Sequence, residues 1–327
     1  MRQFPGGAPE GGEECMAKRR VTLGRALEVL SSGRSSFAQR DERVVVRVHV
    51  DATCPRAVAA AVRDALVAER PGGIVDVRGL TAAPDGSEAA DVALVLVGEG
   101  PCAALARAYA GAGVPVALVA EGALDVPPLE LGEQTAPLVG IVAGSSEAAL
   151  LDGLAAWLAR SADKTLALAA NFPFCRRAVT DALVARRALE NAAVGAVSLI
   201  PGSDYPIMCA SQCALALDIA AAYGREVDLE RLAELAGVMC GGVAYRSLAR
   251  ALVGLVPGLG AILKACVGYG GTVATARAIR LRLELEDEGR AGRPAGDAAP
   301  APSGPASQAL PATPPADDYV TIGGGAA

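Results

Sequence analysis

Short apolar runs alternate with helical patterns between residues 43 and 162. The run Val44–Val50 is rich in β-branched residues, and Pro55 then begins an Ala-rich helix that reaches about residue 69. Further strands are predicted at Ile74–Val77, Asp91–Val97, Val114–Val119 and Leu138–Ala143, with helices at 101–112 and after Ser146. Nearly continuous apolar strands that alternate with helices favour a mainly parallel sheet covered on both faces. The sequence therefore predicts a three-layer α/β domain over residues 41–162.

Strand patterns end near residue 164, and long segments rich in Ala, Leu and Gly follow. Apolar stretches flank Pro201-Gly202 and Pro257-Gly258, and Pro-Gly pairs mark turns. Between these stretches, Asp228–Ala236 has the leucine spacing of an amphipathic helix. The pattern predicts an all-α domain of two helical hairpins over residues 163–286.

The two ends of the chain lack the apolar content that a core requires. Residues 1–40 are predicted to be disordered apart from a short amphipathic helix at 21–31. Residues 287–327 are rich in Ala, Pro and Gly and are predicted to form a flexible tail.

Composition and charge exclude several classes of function. The net charge is −6 and the longest basic run is Lys18-Arg19-Arg20, which argues against a nucleic-acid partner. The eight cysteines are scattered and the chain has one histidine, so we expect no metal site, no cofactor and reduced thiols. The first residues lack the apolar core of a signal peptide, so we expect a cytoplasmic location.

The loops that follow the strands are the places to look for chemistry, because ligands of parallel sheets bind there. The loop Asp51–Arg56 has neither the glycines nor the lysine of a phosphate-binding loop. Asp51 itself has two interpretations, a lone functional carboxylate or a cap of the following helix. His49 is the only histidine and lies within a strand, so no base is placed beside a nucleophile and no catalytic residue is predicted.

Three segments resemble the back half of the small-GTPase fold: Asp91–Val97, Gly113–Val119 and Gly140–Ser146. The resemblance implies a phosphate-binding loop and an Asn-Lys-x-Asp motif that reads guanine. The phosphate-binding loop is missing here, and Ala120–Asp125 stands where the Asn-Lys-x-Asp motif should follow. A degenerate, nucleotide-blind G domain is one interpretation. An unrelated flavodoxin-like sheet of the Rossmann type is the other.

The helical half carries a more specific set of segments. In chain order these are Asn171–Arg177, Asn191–Ala193, Ile200–Asp204, Ala222–Gly224, Ala244–Arg250, Val256–Gly260 and Tyr269–Thr272. Together they resemble the YcjF-like helical family known as domain of unknown function 697, over about residues 164–285. The resemblance implies a helical module found with GTPases or membranes and supplies no catalytic residues. The candidate functional residues are Asp51, Asn191, Asp204, Arg246 and Arg250.

The predicted hairpin arms are too short to cross a bilayer singly. Each has about 11–16 apolar residues, or roughly 17–24 Å of helix, whereas a span needs about 20 residues. Flanking arginines fit shallow insertion, and a soluble bundle in which Arg246 and Arg250 face acidic partners is the alternative.

These patterns lead to one functional hypothesis and one alternative. The hypothesis is a non-enzymatic scaffold or membrane-associated protein, with a nucleotide-blind α/β domain and a helical domain that binds a membrane surface or a protein partner. Association with a second copy of the chain stays open. The alternative is a small-molecule-binding protein or enzyme that uses the strand-end loops at Asp51, Gly98–Gly100 and Glu121–Gly122, including residual nucleotide binding.

Overall fold

The computed structural model describes residues 33–80, 89–197, 205–225 and 260–291. Within these ranges the strands are β1 (Val44–Val50), β2 (Gly73–Gly79), β3 (Val92–Leu96), β4 (Val116–Ala120) and β5 (Val139–Ala143). The helices are α1 (33–40), α2 (Arg56–Ala65), α3 (Cys102–Gly111), α4 (Glu147–Ser161), α5 (Thr165–Asn171), α6 (Arg176–Val197), α7 (Tyr205–Ala222) and α8 (Gly260–Ala291). Single 3-10 turns occur at Ala123–Asp125, Ala136–Leu138 and Pro173–Cys175.

The five strands form one parallel sheet in the order β2-β1-β3-β4-β5. Strand β1 lies at the crossover, pairing with β2 from Val44 opposite Gly73 and with β3 from Val46 opposite Val92. The predicted α/β class and parallel sheet are therefore confirmed. The order is that of doubly wound, flavodoxin-like sheets, whereas the relationship to small GTPases stays a prediction.

Helices cover both faces of the sheet because its strands are apolar on both sides. One face presents Val46, Leu94 and Val119 to helices α2, α4 and α5. The other face presents Val95 and Leu118 to α3. Helix α4 begins where predicted, since the hydroxyl of Ser146 accepts a hydrogen bond from the backbone N–H of Ala149 at 3.3 Å.

The helical half shares its core with the sheet. Phe172, Val179 and Ala222, which lie after residue 163, belong to the same buried cluster as the strand residues beneath α4. The predicted division at residue 163 therefore stays a prediction, because apolar packing continues across it.

Helices α6 and α7 are the arms of the first predicted hairpin and pack against each other. Their tip, the second hairpin's first arm and Asp228–Ala236 lie outside the described residues. Helix α8 contains the returning arm of the second hairpin and continues to Ala291, five residues into the segment that composition assigned to the tail.

Helix α1 is attached to the end of α7. The hydroxyl of Ser36 donates to the Asp218 carboxylate at 2.5 Å, and Arg40 donates to the Arg225 carbonyl at 2.8 Å. Gly224 has a φ of 68°, which lets the chain leave α7 in the left-handed region. The helix predicted at 21–31 lies outside the described residues, whereas part of the segment predicted as disordered, 33–40, is helical.

Candidate functional site

The crevice at the carboxyl ends of β1 and β3 is where a doubly wound sheet of this order binds its ligands. Strand β1 is followed by Asp51-Ala52-Thr53-Cys54, and β3 by Gly98-Glu99-Gly100. Because the two strands are parallel neighbours, these loops meet at one edge of the sheet. Both loops were candidates from the sequence, and the structure brings them together.

The Asp51 carboxylate joins the two loops. One oxygen, Oδ1, accepts the backbone N–H of Thr53 at 2.9 Å and the Thr53 hydroxyl at 2.8 Å. The other, Oδ2, accepts the backbone N–H of Gly100 at 2.6 Å. Asp51 is only 6 % exposed, so its charge is stabilised by these three donors rather than by bulk water.

Thr53 makes the second connection between the loops. Its hydroxyl donates to Asp51 and also accepts the backbone N–H of Glu99 at 2.8 Å. Helix α2 begins after Pro55 without a side-chain cap, so the interpretation of Asp51 as a helix cap is wrong. The carboxylate instead bonds to Thr53 in its own loop and to the Gly100 N–H in the β3 loop.

Gly98 and Gly100 allow the close approach. A Cβ on Gly98 would lie 2.7 Å from Cγ of Asp51 and 2.9 Å from the backbone nitrogen of Cys54. A Cβ on Gly100 would lie 2.5 Å from Oδ2 of Asp51. These glycines therefore leave room for a carboxylate from 49 residues away in the chain.

Hydrogen bonds set the charge of this crevice. The backbone N–H of Thr53 lowers the pKa of Asp51, with smaller contributions from the Thr53 hydroxyl and the Gly100 N–H, against the opposing effect of burial. Burial raises the pKa of the neighbouring thiols Cys54 and Cys102, and the Asp51 charge raises it further. At neutral pH the crevice therefore holds one carboxylate and two protonated thiols, which are poor nucleophiles.

In the loop after β4, a backbone N–H is likewise bonded to a carboxylate of the same chain. The backbone N–H of Gly122 donates to the Asp125 carboxylate at 2.8 Å, and Glu121 beside it is exposed. Exposed Glu99 adds further negative charge at the mouth of the Asp51 crevice. In each of the loops after β1, β3 and β4, at least one backbone N–H is thus bonded to one of the chain's own side chains. An incoming phosphate would have to displace them against three or more negative charges.

The only histidine of the chain lies on the α3 face of β1. His49 is 1 % exposed, its Nε2 lies 2.8 Å from the Tyr109 hydroxyl, and its Nδ1 lies 3.2 Å from the Gly79 carbonyl oxygen. Burial lowers the pKa of His49, and the charges of Arg47 and Arg78 lower it further. The neutral ring thus donates to Gly79 and accepts from Tyr109, which leaves it no free nitrogen for catalysis.

Among the remaining candidates, the described residues include Asn191 alone. Asn191 on α6 is 1 % exposed and donates to the Thr272 hydroxyl on α8 at 2.9 Å. It lies in a helix interface rather than on a surface. Asp204, Arg246 and Arg250 lie outside the described residues.

A cluster of polar side chains that was not recognised from the sequence joins α6, α7 and α8. The Tyr223 hydroxyl donates to Glu284 at 3.0 Å, and Arg280 pairs with Asp181. Arg176 lies over the Tyr223 ring at 5.6 Å. Beside this polar cluster lies a groove of about 160 Å³, and its apolar lining residues include Val184, Ile219, Val273 and Ala276. No local sequence signal identifies these partners, because they are up to 99 residues apart in the chain.

The described residues contain no cluster of three or more His, Cys, Asp or Glu side chains suited to a metal ion. No helix within them combines the length and apolar character needed to cross a bilayer.

Comparison with known proteins gives no match to a family model, a curated protein or a solved structure.

Proposed function

We propose that this chain is a non-enzymatic scaffold or anchor whose α/β half does not bind nucleotide and whose helical half binds a membrane surface or a protein partner. The observation that carries the proposal is the Asp51 carboxylate in the crevice between β1 and β3. It accepts three hydrogen bonds from the two loops that would otherwise offer their N–H groups to a ligand.

The electrostatics of the crevice support the nucleotide-blind half of the proposal. A nucleotide phosphate needs converging N–H donors and a lysine or a metal ion to balance its charge. In the crevice the donors of Thr53 and Gly100 already face a carboxylate whose pKa is lowered, so it is ionised at neutral pH. Phosphate and Asp51 would compete for the same donors.

The packing of the helical half supports a structural role. Helix α5 and the start of α6 are buried against the sheet, so the α/β half acts as a rigid base for α6–α8. Elements fixed to such a base present a defined surface at low entropic cost. That arrangement suits docking.

Nucleotide titration of the full-length protein tests the first half. Calorimetry with GTP, ATP and GDP, with and without magnesium, should show no saturable binding up to about 1 mM, which is roughly −4 kcal/mol. The Asp51→Asn variant, which lacks the charge, is the matched comparison. Micromolar, magnesium-dependent GTP binding by the native chain would overturn the proposal.

Vesicle flotation tests the second half. The full-length protein should float with vesicles that contain anionic lipid if the membrane is its partner. If it stays at the bottom of the gradient and in the soluble fraction of cells, membrane binding is refuted. Binding to a protein then requires a stable partner in pull-downs, and failure to find such a partner as well would refute the scaffold proposal.

A further inference from the structure

Helix α8 has a second apolar face besides the one in the core. Its inner face contributes Ala276, Ile279 and Leu283, all buried. A different stripe is exposed, with Leu281 and Leu285 each 58 % accessible. In order it consists of Ala274, Ala278, Leu281 and Leu285. The 4-3-4 spacing places these four residues in one row, which is the spacing of a coiled-coil seam.

The charges along α8 change sign beside this stripe. The basic residues Arg277, Arg280 and Arg282 come first, and acidic residues follow from Glu284 onward. Arg277 is exposed at the edge of the stripe, and the side chain of Glu284 is 44 % accessible. An oppositely directed copy of the same helix has the complementary order of charges.

One antiparallel register satisfies both patterns. With the two-fold axis between residues 279 and 280, Ala274 lies opposite Leu285 of a second copy, and Ala278 lies opposite Leu281 of that copy. Every small side chain then faces a large one, which fills the space between two helices without overlap. The same register places Arg277 beside Glu284 of the second copy. A parallel pair would instead place Arg277 beside Arg282, with like charges in contact.

We propose that α8 forms a two-fold symmetric, antiparallel interface between two copies of this chain. The contact is isologous, because each copy gives the same stripe and receives the same stripe. The proposal is independent of whether the α/β half binds a ligand. A seam of four residues a side is small, so the dissociation constant is expected to be micromolar, roughly 10–100 µM.

Sedimentation equilibrium of the full-length protein tests association. The mass should rise with concentration from 32.8 kDa to twice that value. Leu281→Glu should weaken association at least tenfold, because it places a charge in the centre of the seam. Leu189→Glu is the matched control, since Leu189 is 68 % exposed on α6 and lies outside the stripe. It should leave the dissociation constant unchanged.

Disulfide cross-linking tests the register. Ala274→Cys and Leu285→Cys proteins should cross-link when mixed and not when separate, because equal positions in the antiparallel pair are about 16 Å apart along the helix. The native chain, which has an exposed Cys266 on α8, is oxidised in parallel to give the background.

Each of several results would overturn the proposal. The first is a mass that stays at 32.8 kDa up to about 200 µM, well above the expected dissociation constant. The second is equal weakening by Leu281→Glu and Leu189→Glu. The third is cross-linking of Ala274→Cys alone, which indicates a parallel pair. The fourth is a monomer that binds vesicles through Leu281, since the stripe would then face lipid rather than a second copy.

Discussion

Nε2 of His49 lies 2.8 Å from the hydroxyl oxygen of Tyr109, which joins the internal strand β1 to the last turn of α3. The two rings are tilted by 54° with their centroids 5.6 Å apart, so the contact is a hydrogen bond at the ring edges rather than a stack. Since Nδ1 faces the Gly79 carbonyl, the neutral ring uses both nitrogens in the folded state. This neutral form is favoured because burial disfavours the charged ring and lowers the pKa of His49.

The stability of the protein should therefore fall as the pH drops below about 6.5. The pKa of His49 is lowered in the folded state, mainly by burial, so the unfolded chain takes up a proton that the folded chain does not. Above the pKa of His49 in the unfolded chain, this contribution to stability is fully present. Below that pKa the free energy of unfolding falls by up to about 1.4 kcal/mol per pH unit. Urea unfolding at pH 7.5, 6.5 and 5.5 measures the slope.

His49→Gln is the control for this slope. Because the chain has one histidine, the variant should be less stable overall but nearly independent of pH over that interval. If the variant kept the same slope as the native chain, His49 would not be the group responsible.

Removal of the Asp51 carboxylate should destabilise the α/β half. Asp51→Ala leaves the N–H groups of Thr53 and Gly100 without their acceptor, which costs about 2–4 kcal/mol. The free energy of urea unfolding measures the loss. Asp64→Ala is the matched control, because its ion pair with Arg63 is on the surface, and its unfolding curve should overlay that of the native chain. A small loss for Asp51→Ala would mean that water replaces the carboxylate.

Gly98 should not tolerate a side chain. In Gly98→Ala the new Cβ meets the Asp51 carboxyl carbon and the Cys54 backbone, neither of which can move far, so a loss of roughly 2–3 kcal/mol is expected. Gly111→Ala is the opposite case, because a Cβ there meets nothing within 4 Å and Gly111 lies in α3. That variant should gain about 0.5–1 kcal/mol. Thermal unfolding should therefore separate the two variants in opposite directions from the native chain.

Asn191 and Thr272 should be energetically coupled. A double-mutant cycle of Asn191→Ala and Thr272→Val removes their 2.9 Å hydrogen bond. A coupling energy of about 0.5–1.5 kcal/mol is expected, because both side chains are buried. Additive losses would show that the contact carries no energy, and Asn191 would then regain interest as a functional residue.

The strands were predictable because their signal is local. The run Val44–Val50 has the β-branched composition of a buried strand, and it forms β1 with those bounds. The weak run at Ile74–Val77 was also found, and β2 extends one to two residues beyond it at each end. Helix α2 begins after Pro55 as predicted but ends at Ala65, about four residues early, before the exposed Val67.

The sequence by itself determined the α/β class, the parallel strands and the position of the loops that carry Asp51 and Gly98–Gly100, because apolar periodicity and turn residues act over a few neighbouring positions. Only the tertiary structure decided what those loops do. Asp51 bonds to a backbone N–H 49 residues away, and Asn191 bonds to a side chain 81 residues away. Such pairs depend on the order in which strands and helices pack, and that order is not written in any local pattern. The same holds for the exposed row on α8, since its spacing can be read from the sequence but its exposure cannot.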